Sequence, residues 1–277
     1  MRVRLAWEEG LALLAWSRRG RRNAFDRAAV ASLTAALADL AAVPPPALVL
    51  WGEGGDFSSG ADLTDVRALA DAGREEAVAY SAAVQALTRA VEEMPVPVVA
   101  AVEGACLGLG LEVALAASWR VADPAARLGL PEMRHGLYPA AGGTLRLAER
   151  VGEGRSRRLI LEAAVLSAAE ALAMDLVEEL SPPGGALAAA RARARALAAP
   201  GAAAVRFLAV RRAGRGEGWE RALLAEREGF ADLVRRPEVA SRIDAFLVGR
   251  RRAQDAPRPP TGGGGGPDLA LGEARQG

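Results

Sequence analysis

The stretch from Val96 to Thr144 leaves the chain the fewest options. An apolar run, Val96 to Val102, enters a turn with glycine at 104, 108 and 110, and a helical pattern follows at once with Glu112 in its first turn. Strand, glycine turn and helix in that order present backbone N–H groups that have no partner within the helix, a natural seat for an anionic oxygen. Further on, Glu132 follows Pro131 and precedes a second glycine-rich segment, Gly142-Gly143. Two carboxylates beside such donors are the parts that acid–base chemistry on a carbonyl compound needs.

The flanking pattern supports a mixed α/β chain. Arg2–Trp7 and Leu11–Trp16 read as two strands of a hairpin turning at Glu9-Gly10. Asp26 caps a helix running to about Ala42, and Pro44-Pro45-Pro46 ends it. Ala47–Trp51 is a short buried strand. A new helical region opens near Leu63, and Glu75–Met94 is a long amphipathic helix halted by Pro95 and Pro97. Beyond Thr144 helices are expected at Leu145–Val151, Arg155–Glu162, Ala168–Met174 and Leu187–Ala198, with a strand at Leu176–Leu180 and a hinge at Pro182–Gly185. Two or three more helices follow from Ala202, the last at Glu238–Arg252. The division is a core over 1–184, a helical region over 185–252 and a Pro/Gly-rich tail over 253–277. That tail buries too little to offset its ordering entropy and reads as disordered.

Composition removes several chemistries. All 35 basic residues are arginine, so a P-loop lysine, a Schiff-base lysine and a lysine general base are excluded together. A single histidine, His135, argues against Ser-His-Asp catalysis and against a histidine-ligated metal. One cysteine, Cys106, allows no intrachain disulfide and fits a reducing compartment. A formal charge of +1 gives no basis for nucleic-acid binding. The apolar runs near the start are broken by Glu8, Glu9 and Gly10, so neither a signal peptide nor a membrane span is expected, and the chain reads as cytoplasmic.

Each motif has an ordinary reading when taken singly. Gly104, Gly108 and Gly110 let a tight turn pack under a helix. Glu112 complements a helix dipole, Glu132 starts a helix, His135 sits at a rim and Cys106 fills space. A dinucleotide fingerprint fails because Val113 stands where its third glycine belongs, and no acidic residue is placed at the end of a following strand.

Together the motifs are far more specific. Phe57-Ser-Ser-Gly60-Ala61-Asp62-Leu63, then Gly104 to Glu112, then Pro131-Glu132 and Pro139-Ala-Ala-Gly142-Gly143-Thr144, resemble in order and spacing the enoyl-CoA hydratase/isomerase (crotonase) family over residues 3–252. Arg22-Asn23-Ala24 and the closing Ala245-Phe246-Leu247 with Arg250-Arg251 fit the same pattern.

The resemblance implies an α/β fold, a crotonase-like ββα spiral with a C-terminal helical trimerisation region, assembling as a homotrimer or a dimer of trimers. It implies an acyl-CoA substrate and no other cofactor, coenzyme A being part of the substrate. The backbone N–H groups of Ala61 and Leu109 would form the oxyanion hole. Glu112 and Glu132, both present, favour hydration: they would hold a water between them, aided by an N–H near Ala140, with Glu112 as base and Glu132 as acid. The coenzyme would lie along Ala24, Gly60, Asp62, Leu63 and Gly108, with Arg22 and Arg250 or Arg251 at its phosphates.

Three departures keep alternatives open. Leu109 stands where the family favours glycine, Ser118-Trp119 where a Cys-Asp pair is common, and Ala140 where glycine is usual. Double-bond isomerisation, thioester hydrolysis, decarboxylation or C–C cleavage, or low-turnover acyl-CoA binding by a scaffold, are the alternatives.

Overall fold

The computed structural model describes residues 1–72 and 74–216. β1 (Arg2–Glu8) and β2 (Leu11–Ser17) form the expected antiparallel hairpin. Its two-residue turn needs positive φ twice, and Glu9 and Gly10 supply it at 49° and 80°. A 3-10 turn at Arg19–Arg21 leads into α1 (Arg27–Ala42), capped by Asp26, whose side chain accepts the Ala29 N–H. β3 (Leu48–Gly52), α2 (Leu63–Ala72), α3 (Arg74–Glu92) and β4 (Val98–Val102) follow. Next come β5 (Ala105–Leu107), α4 (Leu109–Ala116), β6 (Trp119–Ala122) and β7 (Arg127–Gly129). The described chain closes with α5 (Gly143–Val151), α6 (Glu153–Leu161), β8 (Val165–Ser167), α7 (Ala168–Ala173), β9 (Glu179–Leu180), α8 (Ala186–Ala198) and α9 (Ala202–Gly216).

Two sheets run side by side. The larger has the order β1-β2-β3-β4-β6-β9 and is parallel from β2 onward; the smaller is β5-β7-β8. Isolated parallel bridges Phe25–Ala61 and Ser58–Cys106 extend the smaller stack. After β2, β3, β4 and β6 the chain therefore crosses to the second stack before returning, so each turn of a spiral adds one strand to the large sheet and one short extended segment beside it. This is the crotonase-like ββα spiral.

The inner strands of the large sheet, β2, β3, β4 and β6, are buried on both faces, as parallel strands are. On one face Leu14, Trp16, Leu48, Leu50, Val98 and Ala100 meet α1, α3 and α4. The alternate residues Leu13, Ala15, Val49, Val99 and Ala101 pack under Ala190 and Ala194 of α8. The helical stretch beyond 185 thus begins with a helix that covers the core sheet.

Several local expectations need correction. β5, β6, β7 and β8 do not stand out in the sequence, because three or four residues carry too little of a period-2 signal. The strand read as Leu176–Leu180 is cut to Glu179–Leu180, since Leu176 and Val177 are buried packing residues instead. An acid does follow a strand of the central unit: Asp123 comes directly after β6. Its carboxylate accepts the N–H groups of Ala125 (2.8 Å) and Gly184 (2.6 Å), so it orders two turns. The second of these is the Pro182–Gly185 segment, a hydrogen-bonded turn in which Gly185 N–H also donates to the Pro182 carbonyl (2.9 Å).

The part of the expected helical trimerisation region beyond residue 216, with the helix at Glu238–Arg252, Arg250 and Arg251, and the tail at 253–277 lie outside the described residues. Among the described residues, no helix is long and apolar enough to cross a membrane.

Candidate active site

Two glycine turns meet at the N-terminus of α4. Gly60 adopts φ 104° and Gly108 adopts φ 51°, conformations that side-chain residues rarely hold. They also lie too close for side chains: a Cβ on Gly60 would stand 2.9 Å from the Leu107 carbonyl oxygen and 3.5 Å from the Leu109 nitrogen. The positive φ falls on Gly108, so Leu109 is an ordinary first residue of α4, and a side chain there needs no special backbone. As a first-turn residue, Leu109 has no acceptor for its N–H inside the helix. At Ala61 the bridge geometry sets direction. Phe25 N–H bonds the Gly60 carbonyl and Asp62 N–H bonds the Phe25 carbonyl, both at 2.8 Å, so the N–H of Ala61 faces away from Phe25.

These turns border a cavity of about 510 Å³ lined by Gly60, Ala61, Leu63, Gly108, Leu109, Glu112, Glu132 and Ala140, among others. Leu63, Val66 and Leu69 of α2, Val78, Tyr80 and Val84 of α3, and Leu137 and Tyr138 supply mostly apolar walls. His135 lines the same cavity and is exposed.

Both carboxylates reach this cavity. Glu112 is 3% exposed, and its Oε1 accepts the N–H groups of Ala141 (2.7 Å) and Gly143 (2.8 Å). Burial raises its pKa, while those two donors and the nearby Arg146 guanidinium pull it back. Glu132 stands on a 3-10 turn, Pro131–His135. Its Oε2 is buried and has no hydrogen-bond partner among the described residues. Burial first, then repulsion from Glu112, pushes Glu132 up to about 7, against a lowering bond from its own backbone. Two amides just beyond Ala140, those of Ala141 and Gly143, are thus bonded to Glu112 itself. The sequence gives no sign that Ala141 and Gly143 hold Glu112, and glycine at 143 leaves it room: a Cβ there would come 2.8 Å from both Cγ and Oε1 of Glu112.

The other expected residues divide. Asp62 is buried but does not line the cavity; its carboxylate bonds Arg18 (2.5 Å) and the Thr64 N–H (2.8 Å), opening α2. Those bonds hold its carboxyl below the ordinary range, Arg18 foremost. Ala24 is buried behind the Gly60 turn, its carbonyl accepting from Arg18 (3.3 Å). Arg22 is largely exposed and grips both oxygens of Asp56 at 3.1 and 3.0 Å, while its carbonyl accepts the Ser59 N–H. It belongs to the loop beside the cavity, not to the lining. Cys106 is fully buried and burial pushes its thiol pKa upward, which suits packing.

The end of α4 is anchored by a residue the sequence leaves unremarked. Fully buried Arg120 donates to the carbonyls of Ala114 (3.0 Å) and Ala117 (2.9 Å) and pairs with Glu178, which also pairs with Arg150. A guanidinium on the last carbonyls complements the helix terminus. Trp119 lies under the Arg193 guanidinium, 4.7 Å from it. Ser118 Oγ accepts the Val98 N–H (3.2 Å), so no acid is needed at these two positions.

A model of the enoyl-CoA hydratase/isomerase family matches residues 6–252. The peroxisomal fatty acid beta-oxidation multifunctional protein AIM1 of Arabidopsis thaliana is 39% identical over 145 residues, covering 52% of this chain and 20% of that protein. The enoyl-CoA isomerase/hydratase fer4 of Mycosarcoma maydis is 34% identical over 139 residues, 50% of each chain. The matched segments thus span half or less of these curated relatives. The crystal structure of enoyl-CoA hydratase from Bacillus anthracis, 25% identical, covers 89% of this chain and 96% of that one with a TM-score of 0.81.

Proposed function

The chain belongs to the enoyl-CoA hydratase/isomerase family, and from that premise we propose that it adds water to a 2-enoyl-CoA thioester, or removes it in reverse. The observation that carries this reading is the presence of both Glu112 and Glu132 in one cavity, beside the two turns. The thioester oxygen sits between the N–H groups of Ala61 and Leu109. Addition at the β-carbon places enolate charge on that oxygen, and each preorganised donor stabilises it by about 3 kcal/mol.

Glu112 accepts a proton from the water as its oxygen bonds to the β-carbon. Glu132 delivers a proton to the α-carbon. The surroundings support this division: at Glu112 two N–H donors and a cation favour the anion against the burial that raises its pKa, while Glu132, pushed up to about 7, can hold a proton below that pH. The coenzyme runs along the Arg22–Ala24 loop, and the apolar walls from α2 and α3 take the acyl chain. This chemistry calls for no cofactor beyond the coenzyme A that the substrate carries.

The test is loss of the conjugated enoyl-thioester absorbance with crotonyl-CoA and longer 2-enoyl-CoAs, with the product gaining one water in mass. The double variant Glu112→Gln/Glu132→Gln is expected to be inactive. Hydration surviving in it overturns the assignment, and a product of unchanged mass points to isomerisation.

A further inference from the structure

The turn that bonds Glu112 is itself held in place by neighbouring helices. The Ala140 carbonyl accepts from Ser81 Oγ (3.3 Å) and Gln85 Nε2 (3.0 Å). The Ala141 carbonyl accepts from Thr88 Oγ1 and Arg146 Nη1, both at 2.8 Å. Ser81, Gln85, Thr88 and Glu92 are spaced four, three and four apart and so share one face of α3. Arg146 joins the turn to that face by pairing with Glu92 (2.8 and 3.3 Å).

A trans peptide unit points its carbonyl and its N–H in opposite directions. With the Ala140 carbonyl drawn to α3, the same unit sends the Ala141 N–H to Glu112. The next donor is aimed in the same way from α5: Arg146 N–H holds the Gly142 carbonyl (3.0 Å), which directs the Gly143 N–H to the same oxygen.

We infer that the polar face of α3 is a positioning device for Glu112: Gln85 holds the peptide before Ala141 and Thr88 the peptide after it, and together they fix the Ala141 N–H on the carboxylate that acts in the reaction proposed above. The inference rests on that reading for its catalytic meaning, but the geometry it concerns exists without substrate. The charged and titratable groups that face Glu112 are Glu132 from the 3-10 turn, Arg146 from α5 and Tyr80 from α3. Losing an N–H bond to the charged form raises a carboxyl pKa.

The experiment compares Gln85→Leu, Thr88→Val, their combination and Thr88→Ser in the full chain. Gln85 is exposed, so its variant tests the device even if the buried Thr88→Val fails to fold. The first readout, hydrogen–deuterium exchange at the Ala141 amide, needs no substrate and is expected to quicken about tenfold in the combined variant. The second is kinetic: kcat about tenfold lower, KM within about twofold, and the acid limb of the rate profile moved up by about half a pH unit. Thr88→Ser, which keeps the hydroxyl, restores all three.

Unchanged exchange and an unchanged acid limb overturn the inference, as does a fall in kcat that only tracks lost folded protein. If Glu112→Gln abolishes hydration while these variants behave as wild type, the positioning idea fails and the hydratase reading stands. If Glu112→Gln retains hydration, that reading fails, and the exchange measurement still decides whether α3 aims the amide.

Discussion

Glu112 rises from the first turn of α4, a helix of eight residues that are all buried, whereas Glu132 stands on a five-residue 3-10 turn with none buried. The helix fixes the first carboxylate from behind, through Arg120 at its far end, and the Ala141 and Gly143 amides fix it from the front. The second has a buried oxygen without a partner among the described residues. One cavity therefore contains a carboxylate whose burial is opposed by two N–H donors and a guanidinium, and another with one oxygen left unbonded. The contrast shows how two identical side chains acquire different surroundings from backbone geometry.

The widest test of that contrast is substitution of each in turn. Glu112→Gln is expected to lower kcat about 10³-fold and Glu132→Gln about 10²-fold, because an immobilised base has no nearby substitute while a solvent proton can partly replace the acid. Steady-state hydration rates check this, and the reverse order would break the comparison.

Next come the two glycines that crowd the carboxylates. Gly143→Ala pushes a methyl group against Glu112 without backbone strain, since Gly143 has no positive φ. It is expected to lower kcat about 10²-fold with little change in melting temperature. Gly108→Ala meets Glu132 Oε1 at 3.1 Å and must also adopt φ 51°, so it is expected to cost about 1–3 kcal/mol of stability, measured by denaturant unfolding. Equal loss of stability in both variants would erase the distinction drawn here.

The smallest effect sharpens the comparison through pH. Glu132 binds its proton more tightly folded than unfolded, with a folded pKa of about 7. The stability it contributes is complete below the ordinary carboxylate range and is lost as pH rises through about 7. Between about pH 5 and about pH 8, wild type is therefore expected to lose about 3 °C more of melting temperature than Glu132→Gln, as followed by thermal denaturation at each pH. Parallel curves for the two proteins would remove burial as the cause of the shift.

Much of the fold was legible because it is written in local patterns. The hairpin at Glu9-Gly10, the Asp26 cap and the proline stops around α3 each depend on residues a few positions apart. The order of glycine motifs identified the spiral, and both glutamates and both turns fall on one cavity. Short strands escaped notice, as did Asp123, which bonds Gly184 across 61 positions, and Arg120, which pairs with Glu178 across 58. The polar face of α3 could have been read from the spacing of Ser81, Gln85, Thr88 and Glu92, but a polar stripe alone does not name what it touches.

The sequence by itself determined the longer strands and helices, the turns that need glycine at positive φ and which side chains are available for acid–base work. Periodicity and turn chemistry act over one or two turns of chain, and that range suffices for those choices. Only the tertiary structure decided that the amides of Ala141 and Gly143 belong to Glu112, that one carboxylate oxygen of Glu132 is left without a partner among the described residues, and that Arg120 closes α4. Those pairings join residues tens of positions apart whose meeting depends on how the spiral stacks, and no local period records which face of one turn will lie against which residue of the next.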